Sequence, residues 1–416
     1  MDDIIWPPKS KAPRPRDRKK VKTEDPTDLD IDNETIEISS EVTQPDTVEP
    51  KIEAEPDKPK KSRWWRFEHG HMSKKKWALF ITVMAIFIWT GAIASYRLYS
   101  RYSYFKPAVT DRVKNKPKPV EPTITYSDLT GMPVDPSANG RQVTAIMIEN
   151  SLDARPQSGL KDAGIVYEAI AEGGITRFVA LYQAEEPDYI GPVRSVRPYY
   201  LDFIMPFDAA IAHVGGAPQA LIDIKSFGVK DLDQFANSGS YNRIASRYAP
   251  HNVYTSIAKL NSLEASKGFG GSKFTGFQRK KDEPSKQPNA TSVDFNISGA
   301  LYNVHYDYDA ATNSYKRSEG GKPHLDERSA AQLSPKVIIA LIMSRGIASD
   351  GQHTNYGTTG SGAMYAYQDG IITQGTWQKA DRRSQFIFTG TDGKPLKLNA
   401  GQTWISIVDS GKIGHK

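Results

Sequence analysis

IVYEAIAEGGITRFVALYQ, residues 165–183, holds two apolar runs, Ile165–Ala171 and Thr176–Gln183, joined through Gly173-Gly174. Apolar residues alternate along each run, the spacing of a strand whose side chains point to opposite faces in turn. A Gly-Gly pair supplies the positive φ that a tight hairpin turn needs. The stretch therefore predicts a β-hairpin. With a two-residue turn and unbroken alternation, Glu168, Glu172 and Arg177 fall on one face. Two carboxylates beside an arginine suit acid–base work, a metal or simple ion pairing.

Working outward, Val143–Glu149 and Ala209–Val214 read as further strands. Pro218–Phe227 reads as a helix opened by proline and closed before Gly228, and Pro198 opens another through Tyr199, Leu201 and Ile204. Thr255–Lys267 is a third, with Thr255 as its expected N-cap. Residues 127–267 thus form an α/β-like first domain. A polar stretch rich in Gly, Lys and Pro, residues 268–291, marks an interdomain linker. Residues 292–416 are mostly β. Tyr302, Val304, Tyr306 and Tyr308 alternate, and Val337–Met343 is a buried-type run. Gln368-Asp369-Gly370 and Thr391-Asp392-Gly393 are turns, and Trp404, Ile405 and Ile407 belong to the last strand. The expected class is α+β, an α/β-like first domain followed by a mostly-β second.

Upstream, residues 77–96 are apolar and uncharged, set between Lys74-Lys75-Lys76 and Arg97. That length matches the roughly 20 residues a helix needs to cross a bilayer. The run lies too deep in the chain for a removable signal peptide. Residues 57–76 carry eight basic against two acidic residues, while the far flank offers Arg97, Arg101 and Lys106. The heavier basic flank stays cytoplasmic, so the body is expected outside the membrane. The expected order is a disordered cytoplasmic tail (1–60), a basic juxtamembrane segment (61–76), a transmembrane helix (77–96) and an extracytoplasmic linker (97–126).

The chain's net charge of +6 equals that of the basic flank alone. The basicity is therefore a topology signal and a contact for anionic lipid, and no nucleic-acid partner is expected. There is no cysteine. That excludes thiol nucleophiles, disulfides and a lipid-modified cysteine.

Candidate chemistry gathers between Glu149 and Tyr254. Arg194, Ser195 and Arg197 crowd the expected helix start at Pro198, where free N–H groups and guanidinium forks favour an anion. His213 ends a strand, and Gly215-Gly216 follows as a turn that could cradle an anion by its amides. His251 and Asn252 lie in a proline-broken loop with Arg243 and Arg247. Glu168, Glu172, His213 and His251 are the catalytic candidates. Arg177, Arg194, Ser195, Arg197, Gly215, Gly216 and Asn252 are the ligand-binding candidates. His213 and His251 could share a metal with a glutamate, but no ligand spacing supports it, and neither metal nor cofactor is expected. Ser-x-x-Lys occurs at Ser73, Ser103, Ser158 and Ser256 without a Lys-Thr-Gly partner, too common to carry meaning. There is no Gly-x-Ser-x-Gly, His-Glu-x-x-His or P-loop. Lys322–Asp326 reads as a turn first and a site second.

The strings ARPQSGL (154–160), IVYE (165–168), EGGITRF (172–178), GPVRS (191–195), HVGG (213–216) and PHN (250–252) resemble the YerB-like family of bacterial lipoproteins, a domain family of unknown function. The likeness continues at YKR (315–317), PHLD (323–326) and GQTWI (401–405). Members of that family typically carry a lipid-attachment cysteine where this chain has an apolar helix. The resemblance implies an exported, membrane-tethered body and supplies no activity or catalytic residues. The combined expectation is a module binding an anionic envelope ligand, such as a pyrophosphate-linked sugar or wall glycopolymer. The alternative is an envelope scaffold that binds a protein partner through its β half.

Overall fold

The computed structural model describes residues 73–104 and 124–416. The expected tail, most of the basic flank and most of the linker lie outside the described residues.

The apolar run lies within a helix, α1 (Lys74–Tyr104), longer than the 77–96 expected. It is long and apolar enough to cross a membrane by length and composition. Thr82, Thr90 and Ser95 each donate their hydroxyl to the carbonyl four residues back, so no Ser or Thr hydroxyl of the apolar run is left for water.

The body is built on one ten-stranded mixed sheet. Its strands, in chain order, are β1 (Thr144–Glu149), β2 (Ile165–Glu172), β3 (Ile175–Tyr182), β4 (Ala210–Ala212) and β5 (Lys230–Asp231) from the first half. A second sheet of five antiparallel strands follows, beginning with β6 (Ser292–Phe295), β7 (Val304–Asp309), β8 (Ser314–Glu319) and β9 (Lys322–Pro323). The chain then returns to the large sheet with β10 (Val337–Ile342), β11 (Gly360–Gln368), β12 (Ile371–Lys379), β13 (Ile387–Gly390) and β14 (Thr403–Val408). Finally β15 (Ile413–His415) pairs with β6 and completes the small sheet. The spatial order of the large sheet is β13-β12-β11-β10-β14-β2-β3-β1-β4-β5.

The join is β14, parallel to both β10 and β2, with Thr403 opposite Val337 on one side and Ile165 on the other. A strand flanked by parallel neighbours is covered on both faces and reads as an unbroken apolar run. Val337–Ile342 and Thr403–Val408 both do so. The boundary expected at 268–291 is thus a boundary of sequence, and the sheet continues across it.

Two short helices, α2 (Pro198–Ile204) and α3 (Pro218–Ser226), cover one face of the sheet, packing Tyr199, Tyr200, Phe203 and Ile224 against Met147, Tyr167 and Val179. The five-stranded sheet and α4 (Ile257–Ser266) cover the other, where Val293, Tyr306, Tyr315 and Leu260 meet Val166, Phe178 and Trp404. The N-cap of α4 is Ser256, whose Oγ accepts from Lys259 N at 3.3 Å. Thr255, expected in that place, donates its hydroxyl to Ser240 O instead. The architecture is α+β, mostly strand with few helices.

Candidate functional site

The hairpin forms, but with a β-bulge between Ile170 and Glu172. Ala169 pairs with Arg177 and Ile170 with Thr176, one residue out of the register that unbroken alternation demands. A one-residue slip moves a side chain to the opposite face. Glu168 therefore parts from Glu172 and Arg177, and the expected three-residue face does not exist.

Arg177 and Glu172 meet on the α2 side, at one end of the sheet. There Glu149, opposite Arg177 on β1, joins them. The segment Gly191–Val196 lies against this end, Arg194 N donating to Met147 O and Glu149 N to Pro192 O. That placement brings Arg194, Ser195 and Arg197 to the same spot. Arg177 donates to Glu172 Oε1 at 2.9 Å, and Arg197 donates Nε and Nη2 to Oε2 at 2.9 and 2.7 Å. The Ser195 hydroxyl accepts from both arginines. The two guanidiniums are nearly enclosed, 3% and 5% exposed, while the Glu172 side chain is 34% exposed. Burial raises the Glu172 carboxyl pKa, but Arg177 and Arg197 outweigh it and hold the group below the usual carboxylate range.

Beside this triad, Arg194 Nε stands 3.2 Å from Glu149 Oε1, and His251 Nδ1 is 3.0 Å from Glu149 Oε2. Ser151 Oγ lies 3.0 Å from Glu149 Oε1 and 3.2 Å from the same His251 Nδ1. A serine–histidine–acid relay needs the serine on one ring nitrogen and the acid on the other. Here both crowd Nδ1, and Nε2 looks toward Asp153 at 3.8 Å. The cluster is an ion-pair network without relay geometry.

The other candidates are fastened elsewhere. His213 is fully buried, Nδ1 on Gly215 O and Nε2 on Asp231. The Gly215 amide does hold an anion, and it is the protein's own: Asp233 Oδ1 at 2.9 Å. Gly216 is needed for packing, since a Cβ there would lie 2.6 Å from Val196 Cγ1. Asn252 accepts from Arg243 across a two-residue strand pair, Asn242–Arg243 with Val253–Tyr254. Among the described residues no group of three or more His, Cys, Asp or Glu is placed to hold a metal.

Residues 129–270 match the family model described as "Protein of unknown function (DUF3048) N-terminal domain", and residues 293–405 match its C-terminal domain. The chain belongs to the DUF3048 family. The chain is 30% identical over 307 residues to "Putative lipoprotein YerB" of Bacillus subtilis (strain 168), covering 73% of this chain and 89% of that relative. It is also similar to the crystal structure of the YerB protein from Bacillus subtilis, with a TM-score of 0.63 and 28% identity over 70% of this chain and 99% of the other. The YerB-like resemblance read from the motif strings is thereby shown. The matched regions leave out α1.

In this DUF3048 body a second polar cluster, fully enclosed, gathers around Glu168, and the motif strings hold most of its members without linking them. Glu168, expected to be catalytic, is fully buried and accepts four hydrogen bonds. Thr176 Oγ1 and Arg317 Nη2 take Oε1, while Trp404 Nε1 and Ser406 Oγ take Oε2. That is the full capacity of a carboxylate, leaving nothing for a substrate. Arg317 is equally buried, its guanidinium 4.4 Å from the Trp404 ring centre, and donates onward to His324 Nδ1 and Tyr306 OH. His324 Nδ1 is thus an acceptor and the ring neutral, consistent with burial and Arg317 holding its pKa far below the ordinary value. Its Nε2 donates to Gln157, which donates to Asn150, which donates to Glu319. This network ties the hairpin, β14 and the small sheet together. One signal pointed to it: Tyr315, Arg317 and Glu319 alternate on β8, so both charges share the inward face of a core tyrosine.

Proposed function

We propose that this protein is a membrane-tethered, extracytoplasmic binding module of the cell envelope whose ligand is anionic. The tether is α1. The basic flank and a relative named as a lipoprotein support the outward orientation of the body. The observation that carries the ligand class is the sheet end, where Arg177, Arg194 and Arg197 surround only two carboxylates, Glu149 and Glu172. Glu172 occupies a two-arginine fork of the kind that grips phosphate or carboxylate, and it is the exposed member of that triad. A ligand phosphate would displace this internal anion, as in a pyrophosphate-linked sugar or a wall glycopolymer. No step of bond chemistry is needed to explain the arrangement.

The test is calorimetric titration of the full-length protein in zwitterionic nanodiscs with pyrophosphate, a glycerol-phosphate oligomer and a lipid-linked sugar pyrophosphate. Arg197→Ala should abolish binding. Glu172→Gln should tighten it several-fold, because the competing carboxylate is gone. A catalytic Glu172 would instead leave binding intact and end turnover. The reading fails if no anion binds the parent, or if folded Glu172→Gln binds no better.

A second reading, an envelope scaffold for a protein partner, is favoured by the strand pair Arg345–Ile347 with Thr354–Tyr356, whose first strand is exposed throughout and presents Ile347 at 76% exposure. If that surface carries the function, Ile347→Asp will reproduce the loss-of-gene phenotype and Arg197→Ala will not.

A further inference from the structure

Between the loop at Leu152 and the β8–β9 turn lies a cavity of about 420 Å³. Its apolar wall is Leu152, Pro156, Leu301, Pro323 and Leu325, Arg155 and Lys322 line it as cations, and Glu319 and His324 border it from the buried network. Small-molecule pockets have this composition, mostly apolar with a few polar groups, and roughly this size, ~300–1,000 Å³.

One polar atom here is unspent. Glu319 Oε1 accepts from Asn150 and pairs with Arg155, but Oε2 is buried and accepts no hydrogen bond. Arg317 Nη2 is 3.6 Å away and committed to Glu168. His324 Nδ1, at 3.4 Å, is itself an acceptor already served by Arg317. A buried acceptor without a donor is unfavourable, and a ligand that brings one relieves it.

Charge decides which donor. The network holds two guanidiniums, Arg155 and Arg317, against two carboxyls, Glu168 and Glu319. Lys322 adds a further cation to the lining, so an ammonium in the cavity would face Arg155 and Lys322, while a carboxylate would bring the free Glu319 oxygen no donor and would repel it. We propose that this cavity is a second ligand site, for an uncharged aliphatic group ending in an N–H or O–H donor that pairs with Glu319. It is separate from the arginine cluster and does not depend on the anion reading.

Saturation-transfer NMR on the full-length protein in nanodiscs tests it, using hexanamide, 1-hexanol, hexylammonium and hexanoate at equal concentration. Leu325→Trp fills the mouth without touching the network, so the difference between parent and variant removes partitioning into lipid. The expected result is transfer to the amide and alcohol at least about fivefold above that to either ion, the worth of one hydrogen bond, and its loss in Leu325→Trp. Glu319→Gln, which turns the lone acceptor into an amide, should admit hexanoate. Equal transfer in parent and Leu325→Trp overturns the proposal, as does no transfer in the parent, or ions binding as well as the neutral ligands.

Discussion

Replacing Arg317 by Met would place an apolar chain of similar length where a guanidinium now sits fully buried. Three donor bonds disappear, to Glu168 at 3.1 Å, Tyr306 at 3.0 Å and His324 at 2.9 Å. The larger loss is indirect. Glu168 keeps Trp404, Ser406 and Thr176 but loses its counter-ion, and Glu319 loses the field of the more deeply buried of its two cations, keeping only Arg155. Breaking a buried pair from one side costs about 3–5 kcal/mol, because an uncompensated charge remains. For a body of this size that corresponds to a fall in Tm of roughly 6–10 °C. Scanning calorimetry of the full-length protein in nanodiscs measures it. The mechanism is isolated by the double variant Glu168→Gln/Arg317→Met. With the stranded charge gone, it should be less destabilised than the sum of its singles by about 1.5–3 kcal/mol. An Arg317→Met Tm within about 2 °C of the parent, or strict additivity in the double variant, would refute the argument.

Three further outcomes follow from the same geometry. Glu264 on α4 is buried against Thr144 Oγ1, and burial raises its pKa from 4.5 to about 7. Folded protein then holds a proton that unfolded protein releases, so this contribution is complete below pH 4.5 and is lost as pH rises through 7; Glu264→Gln should remove about 2–3 kcal/mol of that slope, leaving the part due to Glu319, which titrates in the same window. Glu172, depressed by its arginines, works in the opposite sense: its stabilisation is present above the ordinary carboxylate range and fades in acid, and Glu172→Gln should cost about 1–2 kcal/mol at pH 7 but little at pH 3, read by denaturant unfolding. Gly216→Ala brings a Cβ within 2.6 Å of Val196 Cγ1 and 3.2 Å of Leu221 Cδ2, so it should destabilise by about 1–3 kcal/mol and, by shifting Val196, weaken anion binding through neighbouring Arg197.

Local signals were legible where a residue's own chemistry dictates the backbone. Proline at 198 and 218 marked two helix starts, and Gly173-Gly174 marked a hairpin. The bulge was not legible, because Ala171 fits an alternating apolar run whichever way it points. That one residue decided the candidate site, separating Glu168 from Glu172. The structure brings Arg177, Arg194, Ser195 and Arg197 to one spot, a gathering that chain proximity and polarity suggested. What the cluster is paired with was not legible, because the guanidiniums' partners are set by register. The buried network could not be assembled for a simpler reason: Glu168, Arg317 and Trp404 come from strands far apart in the chain, and periodicity names a face without naming its neighbour. The same limit hid the single sheet. Val337–Ile342 announces a buried strand, but nothing in it says that Thr403–Val408 will separate it from Ile165–Glu172.

That separation has a consequence for how the protein is made. A chain emerges from its N-terminus, and the sheet needs its near-last strand in the middle. Until Thr403–Val408 arrives, Ile165–Glu172 and Val337–Ile342 each present an unpaired edge, the second wholly apolar and the first apolar but for Glu168 and Glu172. Open apolar edges are templates for pairing with the wrong chain. The body therefore cannot mature in stages as its two family segments would suggest. Its central pairing closes only once Thr403–Val408 is made, and a chain stopped a few residues short of Thr403 would leave both edges open to pairing with the wrong chain.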